Sequence, residues 1–251
     1  MNKIRISAVK YANTYPFIYG LNHSAIRQKA IIETDHPAEC ALKLIENRAD
    51  LGLIPVGAIP TLRESYVTGN YCIGSNGKVR SVMLLSNNSL DEIKNIYLDY
   101  RSRTSINLVK VLAKRKWKKE FLWLNTSQTF DFLNIGENEG IVLIGDQCFE
   151  YENIFRKKYD LGEEWSEFTG LPFVFACWIS NSKPDKDFVR EFDEALKIGV
   201  NNIGKVVEEY GNTGSIRGKE LFNYLTYNID FNFDEAKREG MNLFLKMMKE
   251  L

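Results

Sequence analysis

Small or polar residues lie next to several apolar runs, at the positions where predicted strands end. They are Asn13-Thr14, Arg80-Ser81, Ser102-Arg103-Thr104-Ser105, Gly145-Asp146 and Thr169-Gly170. Free N–H groups and the positive dipole end at a helix N-terminus favour carboxylates and phosphates. The pattern favours a site for an anionic small molecule. Each position also has a structural interpretation, such as Ser102 acting as an ordinary helix N-cap.

The sequence lacks the motifs of the common catalytic classes. It contains no GxGxxG, GxxxxGK[ST], HExxH or GxSxG pattern. Its two histidines, His23 and His36, have neither a triad partner beside them nor a metal-ligand spacing. The four cysteines are scattered, form no CxxC pair and are expected to be buried. The sequence therefore does not favour an enzyme of hydride transfer, phosphoryl transfer, zinc chemistry or serine hydrolysis.

The composition is that of a globular protein of 251 residues. Hydrophobic residues make up 44% and charged residues 26%, and 33 basic residues balance 33 acidic ones. No global field attracts nucleic acid or a membrane, so a small molecule is the expected partner. Neither a signal-peptide pattern nor an apolar run of about 18 residues is present. We therefore expect a cytoplasmic protein, with its oligomeric state left open.

Apolar strands alternate with amphipathic helices and would position these polar residues. Predicted strands are IRISA, KAIIET, DLGLIPV, VRSVMLLS, NIYLD, EFLWLN, GIVLIGD and PFVFACWIS. Predicted helices are the stretch from Pro37, the stretch SRTSINLVKVLAKRKW, a short one at TFDFLN, and three near the C-terminus. Strand–helix–strand order implies parallel pairing with right-handed crossovers.

The order of these elements predicts an α/β protein with two lobes. Residues 1–85 and 177–251 would form the first lobe, and residues 86–176 the second. A cleft between two such lobes is a usual place for a small-molecule site.

Six ordered blocks of the sequence resemble the chorismate dehydratases of menaquinone biosynthesis, a family of the futalosine route. The blocks are RISAVKYANTYPFIYGL, RADLGLIPVGAI, IGSNGKVRSVMLLS, LDYRSRTSINLVKVL, GIVLIGDQC and YDLGEEWSEFTGLPFVFACW. The resemblance runs from Arg5 to Trp178 and continues more loosely through the C-terminal helices. Ala12 stands where the family usually has leucine, and Lys10 where it often has serine, whereas Asn13 is retained.

The resemblance implies a fold like that of the type II periplasmic binding proteins, with a ligand cleft between two lobes. It also implies a hydro-lyase that removes water from chorismate and gives 3-[(1-carboxyvinyl)oxy]benzoate. Because aromatisation of the ring drives this reaction, the resemblance implies neither a cofactor nor a metal.

The resemblance assigns roles to the polar residues noted above. Asn13 and Ser81 are expected to be catalytic, as neutral donors that stabilise charge spreading into a carboxylate. The expected substrate-binding residues are Thr14, Arg80, Thr104, Ser105, Gly145, Asp146, Thr169, Gly170 and Leu171. The substrate's own enolpyruvyl carboxylate is the expected base, since a carboxylate such as Asp146 would repel the dianion.

Two alternatives stay open from the sequence. The sister enzyme of the same route, which acts on cyclic dehypoxanthinyl futalosine, shares the fold. Its first block carries a cysteine–proline–asparagine–aspartate run, whereas this chain has Tyr11-Ala12-Asn13-Thr14. A non-enzymatic binding protein of the same fold is the other alternative.

Overall fold

Two β-sheets form the framework of the protein. The computed structural model describes residues 3–127, 129–212 and 214–251. The strands are β1 (Ile4–Val9), β2 (Ala30–Asp35), β3 (Leu51–Pro55), β4 (Tyr66–Ser75), β5 (Val82–Ser86), β6 (Asn95–Leu98), β7 (Leu122–Asn125), β8 (Glu139–Ile144), β9 (Lys157–Asp160), β10 (Phe173–Ser180) and β11 (Asp230–Asn232). The helices are α1 (Tyr15–Asn22), α2 (Ile26–Lys29), α3 (Pro37–Ile45), α4 (Arg103–Leu112), α5 (Gln147–Tyr151), α6 (Leu161–Thr169), α7 (Lys186–Val200), α8 (Ile203–Tyr210), α9 (Gly218–Asn223) and α10 (Glu235–Met248).

The first sheet has the strand order β11-β4-β10-β3-β1-β2. Its β1, β2 and β3 pair in parallel, whereas β10 runs antiparallel between β3 and β4. Strands β3 and β10 are buried along their whole length, as expected for apolar runs covered on both faces. The sequence predictions for β1, β2, β3 and β10 agree with this sheet.

The second sheet has the strand order β7-β6-β8-β5-β9. Its β6, β7 and β8 pair in parallel, and β5 runs antiparallel between β8 and β9. Helix α4 connects β6 to β7 and continues into a π-helical turn at Ala113–Trp117. Ser102 caps α4, since its Oγ accepts the N–H of Ser105 at 3.1 Å. The ends of β6 and β8 and the start of α4 therefore lie at one edge of the second sheet.

The chain passes between the sheets twice, at residues 76–81 and at residues 161–172. Strand β5 belongs to the second sheet and β10 to the first, so the crossings precede the boundaries expected at 85 and 177. We propose that the lobe boundaries lie within these two crossings. The boundaries expected at 85 and 177 fall inside β5 and β10, whereas boundaries within the crossings would leave both strands whole.

Asp160 joins the two crossings. Its carboxylate accepts the N–H groups of Val79 and Arg80 from the first crossing, at 3.1 Å and 2.7 Å. It also caps α6 by accepting the N–H groups of Gly162 and Glu163. Arg80 has a left-handed backbone with φ of 62°, which an L-residue rarely adopts. One buried side chain therefore holds both connections in a fixed arrangement.

Helices α1 and α7 touch backbone to backbone in the first lobe. A Cβ on Gly20 would lie 2.0 Å from the Ala195 carbonyl oxygen, and one on Gly199 would lie 1.6 Å from that of Pro16. No side chain larger than glycine fits at either position without moving a helix. This packing fixes α1, which begins directly after Asn13 and Thr14.

The structure differs from the sequence predictions in a few elements. The short helix expected at TFDFLN does not form, because Phe130 and Phe132 are spaced by two and pack instead against Tyr97 and Tyr151. Strands β4, β9 and β11 and helices α5 and α6 were not predicted. The four cysteines are free and buried, as expected.

Candidate functional site

A cavity lies between the two sheets, where the ends of β1, β3 and β8 meet the start of α4. Its lining consists of Val9, Tyr11, Asn13, Pro37, Pro55, Ile73, Ser81, Val82, Ser102, Thr104, Ser105, Ile144, Gly145, Phe175 and Ala176. The space free of atoms, including the open mouth, is about 500 Å³. The volume that the centre of a water molecule can occupy is only about 60 Å³. The site is therefore narrow.

Five of the eleven site residues expected from the sequence line this cavity: Asn13, Ser81, Thr104, Ser105 and Gly145. Asn13 follows β1, and Ser81 ends the first crossing, so the two come from different parts of the chain. Both are nearly buried, at 8% and 2% exposure. The structure thus brings the expected catalytic pair into one cavity.

Tyr224 contacts both Asn13 and Ser81. It is fully buried and begins a π-helical turn at Tyr224–Asn228. The Tyr224 hydroxyl donates to Ser81 Oγ at 2.8 Å and also interacts with the Asn13 side chain. Thr14 lies outside the lining, and its hydroxyl donates to Asn13 Oδ1 at 3.3 Å. Thr14 therefore orients the Asn13 amide from behind.

The start of α4 offers neutral donors from the second lobe. Ser102 and Ser105 line the cavity, and the Ser102 hydroxyl oxygen is already the cap acceptor of the helix. The Thr104 hydroxyl is used twice by the protein: it donates to the Phe175 carbonyl at 3.1 Å and accepts the Gly57 N–H at 3.0 Å. Thr104 therefore ties α4 to the first sheet and has no hydroxyl proton left for a carboxylate. Ser105 keeps its hydroxyl for the cavity.

Tyr11 reaches across the cavity from the first lobe and packs on Gly145 of the second. Gly145 has a φ of 65°, and a Cβ there would lie 2.6 Å from Tyr11 Cε1. The Tyr11 hydroxyl is buried and has no hydrogen-bond partner among residues 3–127, 129–212 and 214–251. Burial raises the pKa of this phenol above its ordinary range, while the charge of Arg101 opposes the rise. Tyr11 thus brings a neutral donor to the cleft.

Arg80 and Asp146 lie outside the cavity lining and make contacts that hold the lobes together. The Arg80 guanidinium pairs with Glu152 of the second lobe at 2.8 Å and with Glu220 of α9 at 3.2 Å. Asp146 Oδ1 accepts the Ala12 N–H at 3.2 Å, and burial raises the pKa of its carboxyl. Both groups are engaged with protein partners rather than directed at a ligand.

The segment Thr169, Gly170 and Leu171 also lies away from the cavity lining. It ends α6: Gly170 has the left-handed φ of 72° that a helix C-cap favours, and Thr169 Oγ1 donates to the Trp165 carbonyl. The Leu171 N–H in turn donates to Thr169 Oγ1 at 3.1 Å. These three residues shape the second crossing instead of a wall of the site.

Charged side chains are absent from the described lining of the cavity, which contains hydroxyl, amide and apolar groups. Tyr11 is its one titratable residue, and burial keeps that phenol protonated. Across the described parts of the chain, no three His, Cys, Asp or Glu side chains approach closely enough to hold a metal ion. No helix in those parts has the length and apolarity needed to cross a membrane. The arrangement suits binding and charge stabilisation by neutral donors.

The sequence reasoning missed Tyr11 and Tyr224 as site residues. Tyr11 stands within the quoted first block, two positions before Asn13, a spacing that places both on the turn after β1. Tyr224 stands more than a hundred residues from both of its partners, and no local pattern marks it. Its contact with Ser81 comes only from the packing of α9 and the π-helical turn against the first crossing.

Comparison with known proteins agrees with this architecture. A family model described as menaquinone biosynthesis matches residues 4–250. Chorismate dehydratase from Thermus thermophilus is 24% identical over 95% of this chain and 93% of its own. The enzyme of the same name from Campylobacter jejuni is 25% identical over 96% of this chain and 92% of its own.

A solved structure from Candida albicans, reported to have the generic periplasmic binding protein fold, superposes with a TM-score of 0.72. It is 11% identical and covers 100% of this chain and 91% of its own, a likeness of fold alone. The protein therefore has a two-lobed periplasmic-binding-protein-like fold. Because the family model spans nearly the whole chain, the chain belongs to the menaquinone biosynthesis family.

Proposed function

We propose that the protein is a chorismate dehydratase, a hydro-lyase that converts chorismate into 3-[(1-carboxyvinyl)oxy]benzoate and water. Its proposed place is the futalosine route to menaquinone, in the cytoplasm. The family membership and the names of the two curated relatives support this proposal. The observation that carries it is the lining of the cavity, which combines neutral donors from both lobes with no charged side chain in its described part.

The substrate is a dianion, so the protein must hold two carboxylates without a buried counter-charge. Ser105 and the N-terminus of α4 offer a hydroxyl and the positive end of a helix dipole. The Tyr11 hydroxyl, buried without a partner in the described structure, is a further donor at the opposite wall. In a narrow, dry site such donors act more strongly than they do in water.

The first chemical step breaks the C–H bond that is vinylogous to the ring carboxylate. The electron pair of that bond spreads through the ring diene into the carboxylate, where negative charge increases. Asn13 and Ser81 are proposed to donate hydrogen bonds to this developing charge. One such preorganised donor lowers a barrier by about 3 kcal/mol.

The proton is proposed to move to the enolpyruvyl carboxylate of the substrate itself. No histidine, lysine or carboxylate occurs in the described lining, and the Tyr11 phenol stays protonated. The ring hydroxyl then leaves as water with the transferred proton, and the ring becomes aromatic. The balanced reaction consumes no oxidant or reductant.

Incubation of the purified protein with chorismate tests the proposed function. The expected result is a benzenoid ultraviolet spectrum and a product lighter by one water molecule. Unchanged chorismate, together with consumption of cyclic dehypoxanthinyl futalosine, would assign the chain to the sister reaction instead. Tight binding of chorismate without conversion would point to a binding protein.

The variant Asp146→Asn tests the identity of the base. Asparagine keeps an acceptor for the Ala12 N–H, so fold and binding should persist, and turnover should stay within about threefold of the wild type. Loss of turnover with binding and folding intact would make Asp146 the base and contradict substrate-assisted proton transfer.

A further inference from the structure

Four polar side chains, Thr14, Asn13, Tyr224 and Ser81, lie next to one another and lead into the cavity. The Thr14 hydroxyl donates to Asn13 Oδ1 at 3.3 Å, and the Asn13 side chain interacts with the Tyr224 hydroxyl. The Tyr224 hydroxyl donates to Ser81 Oγ at 2.8 Å. The Ser81 hydroxyl comes last, at the wall of the cavity.

The directions of these bonds follow from the chemistry of each group. Asn13 Oδ1 accepts from Thr14, and the Tyr224 proton is given to Ser81, so the Asn13 Nδ2 group is the one that can donate to the Tyr224 oxygen. One Nδ2 proton of Asn13 is then left for the cavity. Ser81 Oγ accepts from Tyr224, so its own proton is also free to be donated there.

Tyr224 is held so that it cannot easily leave this position. It is fully buried, and its ring packs edge to face on Phe149 with centroids 4.9 Å apart. It begins a π-helical turn, a distortion that occurs frequently at functional sites. The Arg80 guanidinium lies over the same Phe149 ring, with its carbon 5.1 Å from the ring centroid.

We propose that Tyr224 is a positioning residue that joins Asn13 and Ser81 into one charge-stabilising unit and aims a proton of each at the substrate carboxylate. This inference rests on the proposed function. Tyr224 is not itself in the cavity lining. It acts by fixing two donors and by polarising Ser81, because hydrogen bonds that run in one direction strengthen one another.

The mutation Tyr224→Phe removes the linking hydroxyl and keeps the ring against Phe149. We expect kcat on chorismate to fall about 10- to 100-fold while KM changes less than about twofold, because the lost interaction acts mainly in the transition state. Tyr159→Phe is the matched control: the Tyr159 hydroxyl accepts the Leu90 N–H at 3.1 Å, away from the cavity lining. The control should lose comparable thermal stability and keep its turnover.

A double-mutant cycle separates positioning from general damage. If Tyr224 acts through Ser81, adding Tyr224→Phe to Ser81→Ala should lower kcat by less than about twofold beyond Ser81→Ala alone. Full additivity of the two losses, or a Tyr224→Phe variant with wild-type kcat, would overturn the assignment of Tyr224. A wild-type protein that leaves chorismate unchanged would overturn the proposed function first, and this inference with it.

Discussion

Asn13 and Ser81 each accept a hydrogen bond from the protein and have a further N–H or O–H group that can donate into the cavity. The Asn13 amide oxygen is held by Thr14, and Ser81 Oγ accepts from Tyr224. A donor fixed in this way loses little conformational freedom when charge develops on the substrate, which is why preorganised donors are effective. The two residues therefore meet the physical requirement for charge stabilisation without carrying a charge themselves.

The variants Asn13→Ala and Ser81→Ala should each lower kcat about 100- to 1,000-fold, the cost of removing one oxyanion donor. Their melting temperatures should fall by only a few degrees, about 1 kcal/mol each. Ser24→Ala is the control for Ser81, because its hydroxyl donates to the Leu21 carbonyl in the first lobe. Near-normal turnover in both site variants would return Asn13 and Thr14 to the role of a helix entrance.

Gly145→Ala should reduce both stability and turnover. The new Cβ would meet the Tyr11 ring, and the residue would have to keep a φ of 65°. We expect a loss of about 1–3 kcal/mol in the free energy of unfolding, measured by urea denaturation. Gly204→Ala is the contrast: it lies in α8, has no atom within 4 Å of a new Cβ, and should gain about 0.5 kcal/mol. Equal behaviour of the two variants would contradict the contact between the lobes.

The pH dependence of kcat should show no protein base. Burial raises the pKa of Tyr11 and of Tyr224 above the ordinary phenol range, so both hydroxyls stay protonated as the pH rises to alkaline values. The other polar groups of the lining do not titrate, so kcat should be flat between about pH 6 and pH 9. At lower pH it should fall only where the substrate carboxylate becomes protonated, near the ordinary range of a carboxylic acid at about pH 4. A bell-shaped profile centred near neutrality would indicate a catalytic side chain that this geometry does not supply.

The sequence predicted several of the polar residues that line the cavity, and it missed Tyr11 and Tyr224. Asn13, Ser81, Ser105 and Gly145 could be found because a strand end beside a small polar residue is visible in the sequence. Arg80 stands at the same kind of position, but its side chain turns to two glutamates outside the cavity. The direction of a long side chain depends on its neighbours in space, which a single sequence does not reveal.

At the scale of elements, the two crossings depend on one carboxylate. Asp160→Ala would leave the buried N–H groups of Val79 and Arg80 without an acceptor and would remove the cap of α6. We expect the free energy of unfolding to fall by about 2–4 kcal/mol in urea denaturation. Asp185→Ala, which removes an exposed N-cap of α7, should cost about 1 kcal/mol. A loss at Asp160 no larger than at Asp185 would show that the crossings are held by other contacts.

Elements with a strong apolar pattern were predictable, and strands without one, such as β4, were not. Strands β3, β8 and β10 are nearly continuous apolar runs, and α4 combines a capping serine with helical spacing. Strand β4 contains two glycines and several polar residues, and it forms because β10 and β11 pair with it on both sides. Partners that far away in the chain contribute nothing to a local pattern.

At the scale of the whole molecule, the two lobes are held closely together. Besides the Tyr11 contact, the Ser215 hydroxyl donates to Glu150 and the Ala12 N–H to Asp146. The cavity leaves little room, so under the proposed function we expect chorismate to enter through a more open arrangement. Lobe separation about the two crossings would supply that opening, as hinge closure does in other ligand-binding proteins.

Small-angle scattering tests this opening directly. The ligand-free protein in solution should have a radius of gyration larger than that calculated from this structure. Adding the dehydration product should bring it down to the calculated value. The variant Arg80→Ala, which loses both glutamate contacts, should be more open without ligand than the wild type. A radius that already matches the structure and does not respond to ligand would contradict hinge motion as the route of entry.

The interleaving of the two sheets along the chain has a consequence for synthesis on the ribosome. The second sheet uses one continuous stretch, from β5 to β9, whereas the first sheet needs β10 and β11 from later in the chain. The backbone contact of α1 with Gly199 likewise waits for α7. The nascent chain can therefore complete its middle portion while its earliest strands remain unfinished. The turn that carries Asn13 is translated before α7, β10 and β11, yet it would acquire its final shape only after them.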